Sequence, residues 1–300
     1  MSVLKELLDL ELITEADADI IEAYPPALER LETGMADWQR CLRVAKAWFD
    51  AETHKGPPKH YTRYHPKILD AVAARIGDSK RILDPMAGTM ERLREFERKD
   101  KGWHQVYGVE LEPDWVEGYP HPRFIQGDAR ELPYEDNYFD AIVVSPSYGN
   151  RDSDKTGNWW DNDDRKTYAA ALRRNVSPQS LCLPFTSIGY QHGHIHAWAE
   201  SARVLKESGL FFINLKNHIA KGVIARVSHW HRNILRDVIK LTEIDDVAIP
   251  TPGRMSGANH SVRAEQAEKL YVFQKSPQTH ATAIQVIASF KDSSFIEDKR

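Results

Sequence analysis

Arg81-Ile82-Leu83-Asp84-Pro85-Met86-Ala87-Gly88-Thr89 is the stretch on which the reading of the fold turns. A short apolar run closes on an acid, a proline removes a backbone donor, and a glycine allows a tight turn. The segment therefore predicts a strand over 81–84 that leads into a loop at its carboxyl end. The same pattern returns downstream. The run 106–110 ends on Glu110, 26 residues after Asp84, and the run 123–126 leads into Gln126-Gly127-Asp128-Ala129, with Asp128 18 residues beyond Glu110. A strand and its crossover helix consume about that much chain. Further runs at 140–145, 209–215, 241–248 and 269–274 bring the candidate strands to seven, with helical patterns between most of them. The fold class is α/β, a doubly wound, mostly parallel seven-stranded sheet. Between the last two runs lies only a loop with Pro250, Pro252 and Gly253, so that pair can lie antiparallel at one edge.

Outward from this core, residues 1–55 read as an N-terminal helical segment, broken at Tyr24-Pro25-Pro26. Met35, Trp38, Leu42, Ala45 and Phe49 recur at helical spacing and form a packing stripe. Lys55-Gly56-Pro57-Pro58 reads as a hinge, 56–275 as the main domain, 149–191 as a long loop and 276–300 as a loosely held polar tail. The 300 residues carry 40 Lys+Arg and 44 Asp+Glu, a net charge of −4, so any nucleic-acid surface is a local patch. No apolar run approaches the roughly 18 residues that would span a bilayer, and the opening residues are too acidic for a signal peptide, which predicts a cytoplasmic protein without a membrane partner. Cys41 and Cys182 are too few and too far apart for a disulfide framework.

Ligands of open α/β sheets bind at the carboxyl ends of the strands, and here those ends carry Asp84, Glu110 and Asp128. A dinucleotide site wants G-x-G-x-x-G around a pyrophosphate, whereas this loop has only Gly88 and an acid that repels phosphate. S-adenosylmethionine has no phosphate, carries an ammonium and a sulfonium, and offers ribose hydroxyls and an adenine amine as donors. Glu110 is placed for the ribose hydroxyls and Asp128 for the adenine amine.

In these segments the sequence resembles the amino-group DNA methyltransferases, which methylate exocyclic nitrogens of adenine or cytosine. The likeness runs over about residues 61–275. Asp84-Pro85-Met86-Ala87-Gly88-Thr89 resembles the family's D-P-F-x-G-S-G-T cofactor loop, with Leu111 and Ala129 beside the two later acids. Tyr64-His65-Pro66-Lys67 is similar to its H-P-x-K segment beside the methionine end of the cofactor, and Ser145-Pro146-Ser147-Tyr148 to its catalytic [DNS]-P-P-[YFW] tetrapeptide. Met90 stands where that loop has its last glycine, and Ser147 where the tetrapeptide has its second proline. The resemblance implies S-adenosylmethionine as cofactor and double-stranded DNA with a flipped target base as partner. Serine at the first tetrapeptide position implies N4-cytosine ahead of N6-adenine. An RNA base methyltransferase and a catalytically silent nucleic-acid-binding module remain the alternatives.

An exocyclic amine is a poor nucleophile because its lone pair is delocalised into the ring. Ser145 Oγ and the Pro146 carbonyl can accept its two hydrogens and free that lone pair, while Tyr148 offers a flat face to a flipped base. For DNA, residues 216–236 hold Lys216, Lys221, Arg226, Arg232 and Arg236 with no acid among them and with His218, His229, Trp230 and His231 interleaved, a basic patch with stacking groups. The long loop adds Arg151, Trp159, Trp160, Arg165, Arg173 and Arg174, and Arg254 and Arg263 form a weaker third candidate. His192, His194 and His196 lack a carboxylate or thiol at ligand spacing, so no metal site is expected.

Overall fold

The computed structural model describes residues 3–23, 25–34, 38–39, 41–43, 45–46, 64–99, 104–147, 149, 168–172, 174–220, 223–249 and 268–279. The strands are β1 (Arg81–Asp84), β2 (Gln105–Glu110), β3 (Phe124–Gln126), β4 (Phe139–Val144), β5 (Leu205–Leu215), β6 (His218–Ala220), β7 (Val223–Ala225), β8 (Thr242–Ile249) and β9 (Glu268–Gln274). Seven of them form one sheet in the order β3-β2-β1-β4-β5-β9-β8, while β6 and β7 make a separate hairpin. The pairs β1–β2, β1–β4, β2–β3 and β4–β5 are parallel, and β9 runs antiparallel to both β5 and β8. The expected edge pair is thus antiparallel. The order reverses at β1, so a crevice opens where the carboxyl ends of β1 and β4 part.

β5 starts at Leu205, ahead of the expected Gly209. The polar residues Lys206, Glu207 and Ser208 hide its start, and its pairing with β4 slips there, with Ser208 in the left-handed region at φ 63°. Both faces of the sheet are covered, and successive residues of each inner strand enter opposite cores. Ile82, Ala141, Val143 and Phe212 lie in one, and Leu83, Ile142, Val144, Phe211 and Ile213 in the other.

At the N-terminus, α1 (Val3–Asp9), α2 (Glu15–Glu22) and α3 (Pro25–Glu32) build an apolar cluster of their own from Leu4, Leu7, Ile13, Ala18, Ile21, Leu31, Cys41 and Ala45. The break at Pro25 is where the prolines predict it. A second, unforeseen break precedes α2, where Thr14 and Asp17 form a reciprocal capping box. Trp38, Leu42 and Ala45 of the expected stripe pack in this cluster, and Met35 and Phe49 lie outside the described residues.

On the main domain, α4 (Pro66–Ala73) sends Ile68, Leu69 and Val72 into one core. Short helices follow: α5 (Glu95–Lys99), α6 (Pro113–Gly118) and α7 (Tyr168–Leu172). Then α8 (Ile188–Val204) lays Trp198 and Ile195 into the other core. The long loop ends at Ser187 rather than 191, because the Ser187 hydroxyl accepts from the Tyr190 N–H and caps α8. Helix α9 (Val227–Asn233) runs into a π-helical turn, Ile234–Val238. Residues 276–279 of the expected loose tail are described and are tied down. Thr279 is buried, its hydroxyl accepts from the Ser276 N–H at 3.0 Å and donates to the Lys240 carbonyl at 3.1 Å, and 280–300 lie outside the described residues. No described helix is long and apolar enough to cross a membrane.

Candidate active site

The end of β1 buries Asp84, which is only 2% exposed. Its Oδ1 accepts from the Met86 N–H at 3.0 Å, and its Oδ2 lies 2.8 Å from the Tyr64 hydroxyl, itself 3.2 Å from the Val143 carbonyl. Burial pushes this carboxyl up to about 7. The end of β2 repeats the arrangement with Glu110, whose oxygens accept from the Gly88 N–H at 2.8 Å and the Glu112 N–H at 3.0 Å. Burial, reinforced by the negative charges of Glu112 and Asp84, pushes Glu110 up to about 8. Gly88 can aim its N–H at Glu110 because it sits in the left-handed region at φ 56°. Among the described residues no basic side chain pairs with Asp84 or Glu110. Two buried acids without a cation make a site whose ionised form calls for a positively charged ligand.

Asp128 differs. Arg130 grips its carboxylate with Nε at 2.9 and 3.1 Å and a terminal nitrogen at 2.5 Å, and the Arg130 amide adds a fourth bond. Burial raises this acid, but the Arg130 bonds outweigh it and hold Asp128 below the usual carboxylate range. The adenine-acceptor role expected from the sequence therefore falls on a carboxylate already engaged by a neighbour.

Ser145, Pro146 and Ser147 follow β4 directly. Asn214, near the end of β5, donates its amide to Ser145 Oγ at 3.4 Å. The Ser147 hydroxyl oxygen is buried and has no hydrogen-bond partner among the described residues. At the end of the turn, Gly149 has φ 70° and its carbonyl accepts from the Phe185 N–H at 3.0 Å, and a Cβ there would come within 2.7 Å of Phe185 Cα. Only glycine fits. Tyr148 lies outside the described residues.

One cavity of about 330 Å³ joins the two ends. Tyr64, Asp84, Pro85, Met86, Ala87, Gly88, Thr89, Glu110, Leu111, Asp128 and Ala129 line it, together with Ser145, Pro146 and Ser147. His65 and Pro66, expected beside the cofactor, do not. His65 caps α4, its Nδ1 accepting from the Lys67 N–H at 3.3 Å, and Pro66 opens that helix, so Tyr64 supplies the wall in their place.

Sequence reasoning missed the wall opposite the sheet. Val176, Gln179, Ser180, Leu181 and Cys182, from the second half of the long loop, line the cavity. Glu112 latches this segment down. Its buried carboxylate accepts from the Ser177 N–H at 2.7 Å, the Ser177 hydroxyl at 3.0 Å and Arg174 at 2.7 Å, and Arg174 also pairs with Asp114. Trp115, Leu172 and Val176 form an apolar cluster beneath, with Tyr168 against it. The signal was Glu112-Pro113. A proline at the first turn of α6 puts Glu112 at the cap, yet its side chain makes no cap bond and is left to reach the loop. Asn214 was also legible, as a polar residue at the end of the apolar run of β5.

Of the residues assigned to DNA, Arg151, Trp159, Trp160 and Lys221 lie outside the described residues. Lys216 is half-buried and Arg226 exposed. Arg232 is engaged within the fold. It holds Glu243 at 2.9 and 2.5 Å and stands over the Tyr271 ring at 5.2 Å, so it serves as an internal ion pair. Arg236 pairs likewise with Asp237. His231, expected as a stacking group, is fully buried, and Trp230 packs against the core.

Residues 83–150 match a family model described as a methyltransferase domain. No curated protein matches the sequence. Among solved structures, the chain is similar to an S-adenosylmethionine-dependent methyltransferase of Methanosarcina mazei, at 12% identity over 72% of this chain and 99% of that one, with a TM-score of 0.44. It is also similar to a TehB-like S-adenosylmethionine-dependent methyltransferase of Corynebacterium glutamicum, at 17% identity over 78% and 96%, with a TM-score of 0.39. These likenesses are to the fold and say nothing of the substrate. The stretch matched by the methyltransferase-domain model runs from β1 to the turn after β4, the part of the chain that carries Asp84, Glu110, Asp128 and Ser145. The cavity fits S-adenosylmethionine, the cofactor expected from the sequence, since Asp84 and Glu110 are buried acceptors that no basic side chain among the described residues claims and that can meet its ammonium and its ribose hydroxyls.

Proposed function

We propose that this chain methylates an exocyclic amine of a base in DNA, N4 of cytosine ahead of N6 of adenine. The observation that supports this is the meeting, in one cavity, of the buried acids of β1 and β2 with the oxygens of Ser145, Pro146 and Ser147. When bound, S-adenosylmethionine supplies a methyl group that leaves its sulfur as the substrate nitrogen takes it up. Ser145 Oγ, which receives the Asn214 amide, accepts one amine hydrogen. Pro146, which has no N–H and a fixed φ, presents its carbonyl for the other. Holding both hydrogens turns the nitrogen lone pair out of conjugation, and one hydrogen then leaves as a proton to solvent. The Ser147 hydroxyl gives the substrate a further polar contact. Serine at 145 is a neutral acceptor and suits either amine; the lean to cytosine comes from the resemblance. DNA is favoured on the same ground, and Lys216 and Arg226 are the described residues of the basic patch proposed to meet phosphate.

The test is transfer of tritiated methyl from the cofactor to unmodified duplex DNA or to transfer RNA. Label in DNA is expected. Label in RNA alone overturns the substrate class.

A further inference from the structure

Beneath the Ser145–Ser147 turn lies a hydrogen-bond chain that the reaction described above does not use. Trp198 donates its indole N–H to His231 Nδ1 at 3.1 Å. An indole nitrogen can only donate, so Nδ1 is an acceptor and the proton of the neutral ring sits on Nε2. That Nε2–H lies 2.8 Å from the Tyr190 hydroxyl oxygen and donates to it. The Tyr190 hydroxyl hydrogen is thereby directed to the Ser147 carbonyl, 2.6 Å away. All three rings are fully buried, so water does not compete for these bonds. Burial also holds the His231 imidazole well below its ordinary range and keeps it neutral, as the geometry demands. His194, one helical turn after Tyr190, donates Nδ1–H to the Tyr190 carbonyl at 2.8 Å. The Phe185 N–H grips Gly149 beyond the turn. Position 147 is a serine, whose φ is free, so nothing within the turn's own covalent structure fixes its second peptide.

We propose that Tyr190, oriented by His231 and Trp198, is a positioning residue that holds the Ser147 carbonyl and so keeps the Pro146 carbonyl and the Ser147 hydroxyl aimed into the cavity. The proposal rests on the reading above only for the identity of the amine that uses those oxygens.

The test compares wild type, Tyr190→Phe and Tyr190→Phe/Ser147→Pro. Amide hydrogen exchange over 143–149, measured without any ligand, should rise about tenfold in Tyr190→Phe, the worth of one buried hydrogen bond. S-adenosylmethionine Kd by calorimetry should stay within about twofold. Turnover of tritiated cofactor on saturating unmodified duplex DNA should fall about tenfold with little change in KM, and proline at 147, which fixes φ there but deletes the Ser147 hydroxyl, should restore exchange without restoring full turnover. Unchanged exchange at 143–149, or a rise shared by the whole chain, overturns the proposal. Should the double variant lose its melting transition, the locality of the exchange change in Tyr190→Phe alone decides. If wild type transfers nothing to DNA while exchange behaves as expected, the function proposed above fails and the positioning role stands.

Discussion

The strand ends that meet in the cavity are stabilised on opposite terms. At β1 and β2, Asp84 and Glu110 are buried acids, raised to about 7 and 8, with no cation beside them among the described residues. At β4, neutral groups pass hydrogen bonds from Trp198 through His231 and Tyr190 to a backbone carbonyl, each donor matched to an acceptor. The first arrangement leaves a desolvation cost that a cationic ligand relieves, and so it is built to bind. The second is complete in itself, and so it is built to hold still. On the proposed function, the methyl donor uses the one and the amine acceptor the other.

The largest expected effect falls on the binding end. Glu110→Ala removes an acceptor that takes charge-assisted bonds, so S-adenosylmethionine affinity should fall about tenfold to a hundredfold by calorimetry. Unchanged affinity would break the contrast between the two ends.

A smaller effect separates them by pH. The folded values of Asp84 and Glu110 are raised above the unfolded ones, so their contribution to stability is fully present below the ordinary carboxylate range and is lost as pH rises through about 7 and 8. His194 is lowered to about 4 and His231 is lowered too, so theirs is present above the ordinary imidazole value and is lost as pH falls toward 4. Of these four groups, only the acids still titrate above the imidazole range. The Tm of the unliganded protein should therefore decline between pH 6.5 and 8.5, and bound cofactor, which favours the ionised acids, should flatten that decline. A Tm that rises over this interval without ligand would contradict the assignment of these acids as uncompensated.

Smaller again is the latch. Ser177→Ala deletes one bond to Glu112, which should cost about 1 kcal/mol and lower Tm by roughly 2 to 4 °C, with cofactor affinity weakened only a few-fold. A loss as large as that of Glu110→Ala would mean that the loop, not the acids, dominates binding.

The binding end was legible because its signals are local. An acid closing a strand and a glycine beyond it are neighbours in sequence, and the same holds for Ser145-Pro146 after the apolar run of β4. The supports of the β4 turn were not legible, because Tyr190, Trp198 and His231 come from two helices far along the chain; Tyr190 and Trp198 flank a histidine row without belonging to it, and His231 reads as part of a basic patch. The Arg232 ion pair was hidden for the same reason, since its partner Glu243 comes from a strand later in the chain. Met90 shows the middle case. Its replacement of a glycine was plain in the sequence. The structure adds that the backbone keeps the left-handed turn at φ 57°, a cost of about 1 to 2 kcal/mol, while the buried side chain packs against Gly108, where a Cβ would come within 2.6 Å of the Met90 sulfur.

The claim that joins the two ends is amine methylation of DNA, and nucleoside mass spectrometry of host DNA, with and without expression of the chain, tests it most directly. N4-methylcytosine should accumulate with the wild-type chain and fall about tenfold or more with Ser145→Ala, whose purified form keeps its cofactor affinity. Methyladenine alone would overturn the choice of cytosine. Host DNA without a methylated amine, or a Ser145→Ala chain as active as wild type, would contradict the account.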